Sequence, residues 1–212
     1  MAKRPAFFIR QGKVISETYS FEWFPGFAVS QKQKSIESLH NAIREVDANA
    51  KPLEISTKSK DPIGVKLSAF NLRLNNYALE NIFQSAKVFE NGGPYLDLLD
   101  VLPKEAKRDE RLHNSGKLKA FRYQQEDFPL NPKTVFYDFI YISAVKQSLA
   151  IDEINAISNY NYFTDIEFNP TKSMNTQART VAMIQLILDE YGYLPDFQKK
   201  DFIQYHKEHI AY

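Results

Sequence analysis

The residues of this chain best suited to chemistry are lysines and carboxylates. In "FAVSQKQKSIESLH", residues 27–40, Lys32 and Lys34 stand two positions apart just ahead of Ser35. Ser35 reads as the cap of a helix, "SIESLHNAIREV". Two cations at the positive end of a helix dipole are disfavoured unless something anionic or electrophilic sits there. If residues 27–33 are extended, both lysines point to one face, because strand side chains repeat every two residues. Neighbouring ammonium groups depress one another's pKa, which frees an amine for Schiff-base chemistry, and the same pair suits a phosphate. Two solvated loop lysines would carry the same sequence, and spacing alone does not separate these uses.

Three more groupings carry charge in a pattern. Glu80, Gln84 and Lys87 fall at i, i+4 and i+7 of a helix predicted over residues 77–90. Leu79, Ile82, Phe83, Ala86 and Phe89 fall on its other side, and Gly92, Gly93 and Pro94 end it. Asp165 and Glu167 in "YNYFTDIEFNP" are two apart in an extended aromatic run, which puts two carboxylates on one strand face. Asp138 interrupts the apolar run "PKTVFYDFIYISAVKQSLA", and an acid there must be paired or protonated. His206 and His209 have helical spacing but no third ligand nearby, and His113 lies among basic residues. Without cysteine or an H-E-x-x-H motif, no metal is expected.

The elements that must position these groups follow from composition and punctuation. A 43% hydrophobic fraction across 212 residues is enough for one packed domain. The net charge of +1 gives no global pull toward nucleic acid or anionic membranes, so any such contact needs a local patch. Residues 104–119, with six Lys/Arg against three acids, are that patch and read as a charged helix with a connector. The absence of cysteine excludes disulfides, thiolate metal sites and a thiol nucleophile, and fits a reducing cytoplasm. No apolar run has the length of a signal peptide or membrane span, so the expected location is cytoplasmic. The seven glycines form no G-x-G-x-x-G, P-loop or G-x-S-x-G pattern, which weighs against nucleotide-binding α/β folds and α/β-hydrolases. Gln11, Gly12 and Lys13 mark a hairpin, Asp61-Pro62 and Gly64 a loop, and "NTQARTVAMIQLILDEYGY" a second core helix. The expected class is α+β and helix-dominated: a single domain over residues 1–212 with a small antiparallel sheet and hairpin.

Taken together these segments resemble a known family. "LENIFQSAKVF" resembles the E-H-x-F-Q-x-x-K-F motif of the NADAR family: Glu80, Phe83, Gln84 and Lys87 match, and Asn81 stands where many members have His. "FTDIEFNPTKSMNTQA" takes the place of the family's late W-G-D-G…N-x-L-G segment, with Asp165 over its acid and Asn175 over its Asn; the tryptophan and glycines are absent. "QKQKSI", "LSAFNL", "FENGGPY" and "EAKRDERL" look like the branch found beside DarT-type DNA ADP-ribosyltransferase toxins. The resemblance covers residues 20–180 and implies a NADAR (YbiA-like) fold.

What that branch implies is an antitoxin enzyme, a DNA ADP-ribosylglycohydrolase needing no cofactor. Its toxin attaches ADP-ribose to guanine in DNA, and the antitoxin releases ADP-ribose by cleaving the ribosyl C–N bond. More distant members are N-glycosidases of riboflavin-pathway intermediates. Such a bond breaks through an oxocarbenium-like or ring-opened iminium species, stabilised by one carboxylate and assisted by an acid. Glu80 and Asp165 are the candidates for those roles. Alternatively a neutral lysine, Lys34 before Lys32, attacks the opened sugar and displaces guanine. Gln84, Lys87, Glu167 and Asn175 would bind substrate, Arg108 and its patch the diphosphate, and Trp23 and Tyr95 the bases. Two alternatives keep the family but change the partner. One is an N-glycosidase acting on a free nucleotide metabolite, and the other a non-catalytic antitoxin that binds its toxin.

Overall fold

Gln11 and Gly12 both adopt positive φ, at 53° and 69°, as a two-residue hairpin of this hand requires. They join β1 (Ala2–Arg10) to β2 (Lys13–Phe21) in unbroken antiparallel register, from Ala2 opposite Phe21 to Arg10 opposite Lys13. The computed structural model describes residues 1–169, 171 and 176–211. Among these, the chain continues through α1 (Val29–Val46), β3 (Pro52–Glu54), α2 (Pro62–Lys66), β4 (Arg73–Leu74), β5 (Tyr77–Ala78) and α3 (Leu79–Ser85). Then come β6 (Lys87–Phe89), α4 (Pro103–Ala106), α5 (Arg111–Asn114), β7 (Leu118–Tyr123), β8 (Glu126–Phe128) and α6 (Val135–Ser148). The last elements are α7 (Ile151–Asn155), β9 (Tyr162–Thr164), α8 (Gln177–Tyr191) and α9 (Lys199–His209). The class is α+β, as expected. No helix among the described residues is long and apolar enough to cross a membrane.

The chain divides into two compact units. The first gathers Met1–Asn71, Leu149–Asp196 and Glu208–Tyr212; the second holds Leu72–Ser148 and Phe197–Lys207. In the first unit a four-stranded sheet has the order β2-β1-β9-β3, with β3 parallel to β9 and the other pairs antiparallel. Ile36, Leu39 and Ile43 of α1 pack with Ala6, Phe8, Tyr19, Phe21 and Tyr162 into one core cluster. Helix α8 is buried from Gln177 to Leu188 and ends at Gly192, whose φ of 74° allows the left-handed turn. In the second unit, β6-β7-β8 form a three-stranded sheet. Its Phe121 and Phe128 join Phe83 around Phe136 of α6.

Four expectations from the sequence differ from the fold. Helix α1 starts at Val29, with Ala28 rather than Ser35 at its cap position. Ser35 is fully buried inside the helix; its hydroxyl accepts the Phe24 N–H at 2.9 Å and donates to the Gln31 carbonyl at 3.2 Å. It therefore ties down the preceding loop, and Lys32 and Lys34 lie in the first turns of a helix. Two residues on a helix differ by about 200° in direction, so the lysines do not share a face. The helix expected over 77–90 is confined to Leu79–Ser85, because Lys87, Val88 and Phe89 pair with β7. Asp165 and Glu167 are not on one strand face either: β9 ends at Thr164, and the Phe168 N–H turns back to the Asp165 carbonyl at 3.1 Å.

Asp138 is paired, as an acid in an apolar run must be. Its Oδ2 lies 2.8 Å from His206 Nε2 and accepts the Thr134 hydroxyl at 2.9 Å, and both Asp138 and His206 are fully buried. Removing one partner strands a polar or charged group in the core. His206→Leu is therefore expected to cost about 3 kcal/mol, read as a fall in denaturation midpoint. A smaller loss in Asp138→Leu/His206→Leu than the two singles sum to would show the coupling.

Candidate functional site

In the first unit the candidate site is built around the end of β9. Asp165, 8% exposed, follows the last strand residue, and its Oδ1 accepts the N–H groups of Glu167 at 3.1 Å and Phe168 at 3.2 Å. Its Oδ2 accepts the side-chain N–H of Gln177 at 3.0 Å. Gln177 cannot turn over, because its amide also donates to the Ile55 carbonyl at 2.6 Å and accepts the Ala69 N–H at 2.7 Å. A second acid, Glu54, is carried in by β3, where it stands opposite Thr164 in the parallel register. Glu54 is 2% exposed; its Oε2 accepts the Thr164 hydroxyl at 2.6 Å and its Oε1 the Ile166 N–H at 2.9 Å.

Two buried carboxyls acting on one another hold protons more tightly than either would in water. Burial, then the charge of Glu54, pushes Asp165 up to about 7. Burial likewise raises Glu54, against the hydrogen bonds from Ile166, Thr164 and Ser56 that favour its anion. His40 of α1 reaches the same group: its Nε2 lies 2.9 Å from the Thr164 hydroxyl oxygen. Burial pushes His40 down to about 4, so it is neutral at pH 7.

The rim of this cluster is cationic and aromatic. Lys32 Nζ is 3.2 Å from Glu167 and 4.5 Å from the centre of the Trp23 ring, and its side chain is only 15% exposed. Arg4 also lies over Trp23, at 5.4 Å, and its Nε donates to the Ile166 carbonyl at 3.0 Å. Lys32, Trp23, Asp165 and Glu167 are thus brought together. Lys34 is not part of this group: it is exposed and lines a shallow surface depression with Glu22, Glu37, Glu45 and Lys60. Asn175 lies outside the described residues.

In the second unit the motif residues form a continuous chain. Gln84 Nε2 donates to Glu80 Oε1 at 2.6 Å, one helical turn apart, and Lys87 Nζ donates to Gln84 Oε1 at 2.6 Å. Although Lys87 has left the helix, the amide still links carboxylate to amine. Burial pushes the Lys87 amine below the usual lysine range, while the Glu80 charge works in the opposite direction. Asn81 is buried and structural: its side-chain N–H groups hold the Leu98 and Val101 carbonyls at 2.7 and 2.8 Å. Tyr95 bonds Ser115 at 2.5 Å, and the Arg111 guanidinium lies 4.5 Å over its ring. Within the basic patch, Arg111 is committed to Asp97 and Asp109 and Lys119 to Glu90, whereas Arg108 is exposed.

Glu54, His40 and Arg4 are the residues of this cluster that sequence reasoning missed. Glu54 carried the same signal as Asp138, an acid between apolar neighbours in "KPLEIST". The flanking breakers turned attention to loops instead. Among the described residues no group of three or more His, Cys, Asp or Glu is placed to hold a metal ion. His206 contacts Asp138, and His209 Nδ1 lies 2.8 Å from the Gly12 carbonyl.

Compared with known proteins, the chain matches the family described as DarT1-associated NADAR antitoxin over residues 2–211. No curated protein matches it. A match over nearly the whole length, with the Glu80, Gln84 and Lys87 side chains joined as one unit, identifies the chain as a member of the DarT1-associated NADAR antitoxin family.

Proposed function

We propose that this chain is a DNA ADP-ribosylglycohydrolase: it cleaves the C–N bond between ADP-ribose and the guanine amino group and so reverses a DarT-type toxin. What supports this function is the family match over residues 2–211 together with Asp165, a buried carboxyl that Gln177 and the turn after β9 hold in place and that burial pushes up to about 7. A carboxyl of that kind is half protonated at neutral pH, where a general acid works best. As the bond breaks, its electron pair stays on the guanine nitrogen, which takes the Asp165 proton. The resulting carboxylate then accepts a proton from the water that adds to the sugar carbon. The products are unmodified guanine and free ADP-ribose, and Asp165 ends as it began.

A second reading places the chemistry on the motif residues of the second unit alone. There the Glu80 carboxylate, its orientation fixed by Gln84, would stabilise the positive charge that develops on the sugar. This reading is favoured by the hydrogen-bonded chain from Glu80 through Gln84 to Lys87 and by the burial that lowers the Lys87 pKa. A neutral Lys87 amine would attack C1 of the ring-opened sugar and release guanine, leaving a Schiff base that water hydrolyses. Lys32, held by Glu167 and Trp23, is assigned to a substrate phosphate.

Side-by-side turnover of a modified guanine oligonucleotide and the matching modified mononucleotide tests the substrate. Faster release from the oligonucleotide is expected. Equal or faster release from the mononucleotide would make the chain a metabolite glycosidase. Full neutralisation of the toxin by Glu80→Ala, together with its co-purification, would make it a binding antitoxin.

A further inference from the structure

We propose that Glu54 is a positioning residue for this reaction: by clamping the residues on both sides of Asp165, it fixes that carboxyl in its turn and keeps a second acid next to it. The inference rests on Asp165 being the acid. Glu54 holds the Thr164 hydroxyl with one oxygen and the Ile166 N–H with the other, so Asp165 sits between its two points of attachment. The strands reinforce this, since the Ile55 N–H donates to the Thr164 carbonyl at 2.8 Å. An amide or hydroxyl would clamp the turn as well. What only a carboxyl adds in that position is charge, at the cost of burying it.

The charged and titratable groups on the surrounding elements are few. Beyond the turn is Glu167, whose charge further disfavours the Glu54 anion and which is itself ion-paired to Lys32. On α1 is His40, on β1 is Arg4, whose Nε donates to the Ile166 carbonyl, and on α8 is the buried Arg179. The Thr164 hydroxyl lets Glu54 take either state. With Glu54 ionised, Thr164 donates to it and His40 Nε2–H donates to Thr164. With Glu54 protonated, Glu54 donates to Thr164, which turns its hydrogen toward a bare His40 Nε2. Either state keeps the Glu54–Thr164–His40 chain hydrogen-bonded, the second with His40 in its other tautomer, so Glu54 can take up or lose a proton without a rearrangement of the backbone.

The test is Glu54→Gln, followed through the pH profile of ADP-ribose release from a modified oligonucleotide. The introduced amide can accept the Ile166 N–H and donate to Thr164, so the fold is retained. With the neighbouring charge gone, Asp165 loses its proton more easily. The alkaline limb of kcat, near pH 7 in the parent chain, is expected to move down by about one unit or more with KM little changed. An active Glu54→Gln variant with an unmoved limb would overturn the proposal and leave Glu54 a purely structural clamp.

A second measurement stands apart from activity and from variants. A carboxyl carbon NMR titration of the parent chain is expected to show one of the two acids still protonated at pH 6; both fully ionised there would overturn the proposal. Should the parent chain release no ADP-ribose, the glycohydrolase assignment falls, and the titration still decides whether one of the two acids stays protonated.

Discussion

Asp165→Asn is expected to slow ADP-ribose release from a modified guanine oligonucleotide by at least about 100-fold, the scale on which a single general acid acts. The loss should fall on kcat, because the proton is given only as the bond breaks. The substitution is nearly isosteric, and the oxygen of the introduced amide can still accept the N–H groups of Glu167 and Phe168. Its nitrogen would meet the Gln177 N–H donor-to-donor, and Gln177 is held in place by Ile55 and Ala69. That mismatch costs about 1 kcal/mol. A compensating gain appears at higher pH. The folded chain keeps on Asp165, up to about 7, a proton that an unfolded Asp releases near 3.8. Stability from this group is therefore present at low pH and falls as pH rises through 7. Asp165→Asn removes the slope, so the difference in denaturation temperature should turn in favour of the variant between pH 5 and pH 8. A variant that keeps parent kcat would remove Asp165 from the chemistry.

The second large effect is expected at Lys87. Lys87→Met should lower turnover about 100-fold, comparable to removing one group that acts on the reacting atoms. The change removes the amine that bonds Gln84 and so loosens the hold on Glu80. Borohydride trapping then separates the two routes. A covalent adduct in the parent chain that disappears in Lys87→Met places the Schiff base on Lys87. An adduct that survives there and disappears in Lys32→Met or Lys34→Met would move it to α1. Turnover without any adduct returns the attack to water, with Asp165 as the proposed acid.

What was legible in the sequence, and what was not, follows from how local each determinant is. The first hairpin could be read because Gln11 and Gly12 specify their own turn. The pairing of Asp138 followed from its apolar surroundings, although His206, 68 positions away, could not be named. Ser35 misled because a hydroxyl ahead of an amphipathic run looks the same whether it caps its own helix or reaches 11 positions back to Phe24. The helix through Glu80 was drawn too long because Val88 and Phe89 take their conformation from β7, some thirty positions later. The Glu54–Asp165 pair depends on a parallel strand contact across about 110 positions, which no local pattern records. The family motif marked Glu80, Gln84 and Lys87 correctly as a group, since helical spacing and a short turn are enough to join them.

Cleavage of the bond between ADP-ribose and guanine in DNA is the step we propose for this chain. Mass measurement of an oligonucleotide carrying one ADP-ribosylated guanine, before and after incubation with the chain near pH 6.5, tests it most directly. Loss of the whole ADP-ribose group is expected, with its recovery free in solution and a guanine indistinguishable from the unmodified base. An unchanged oligonucleotide in the presence of a folded chain would contradict it.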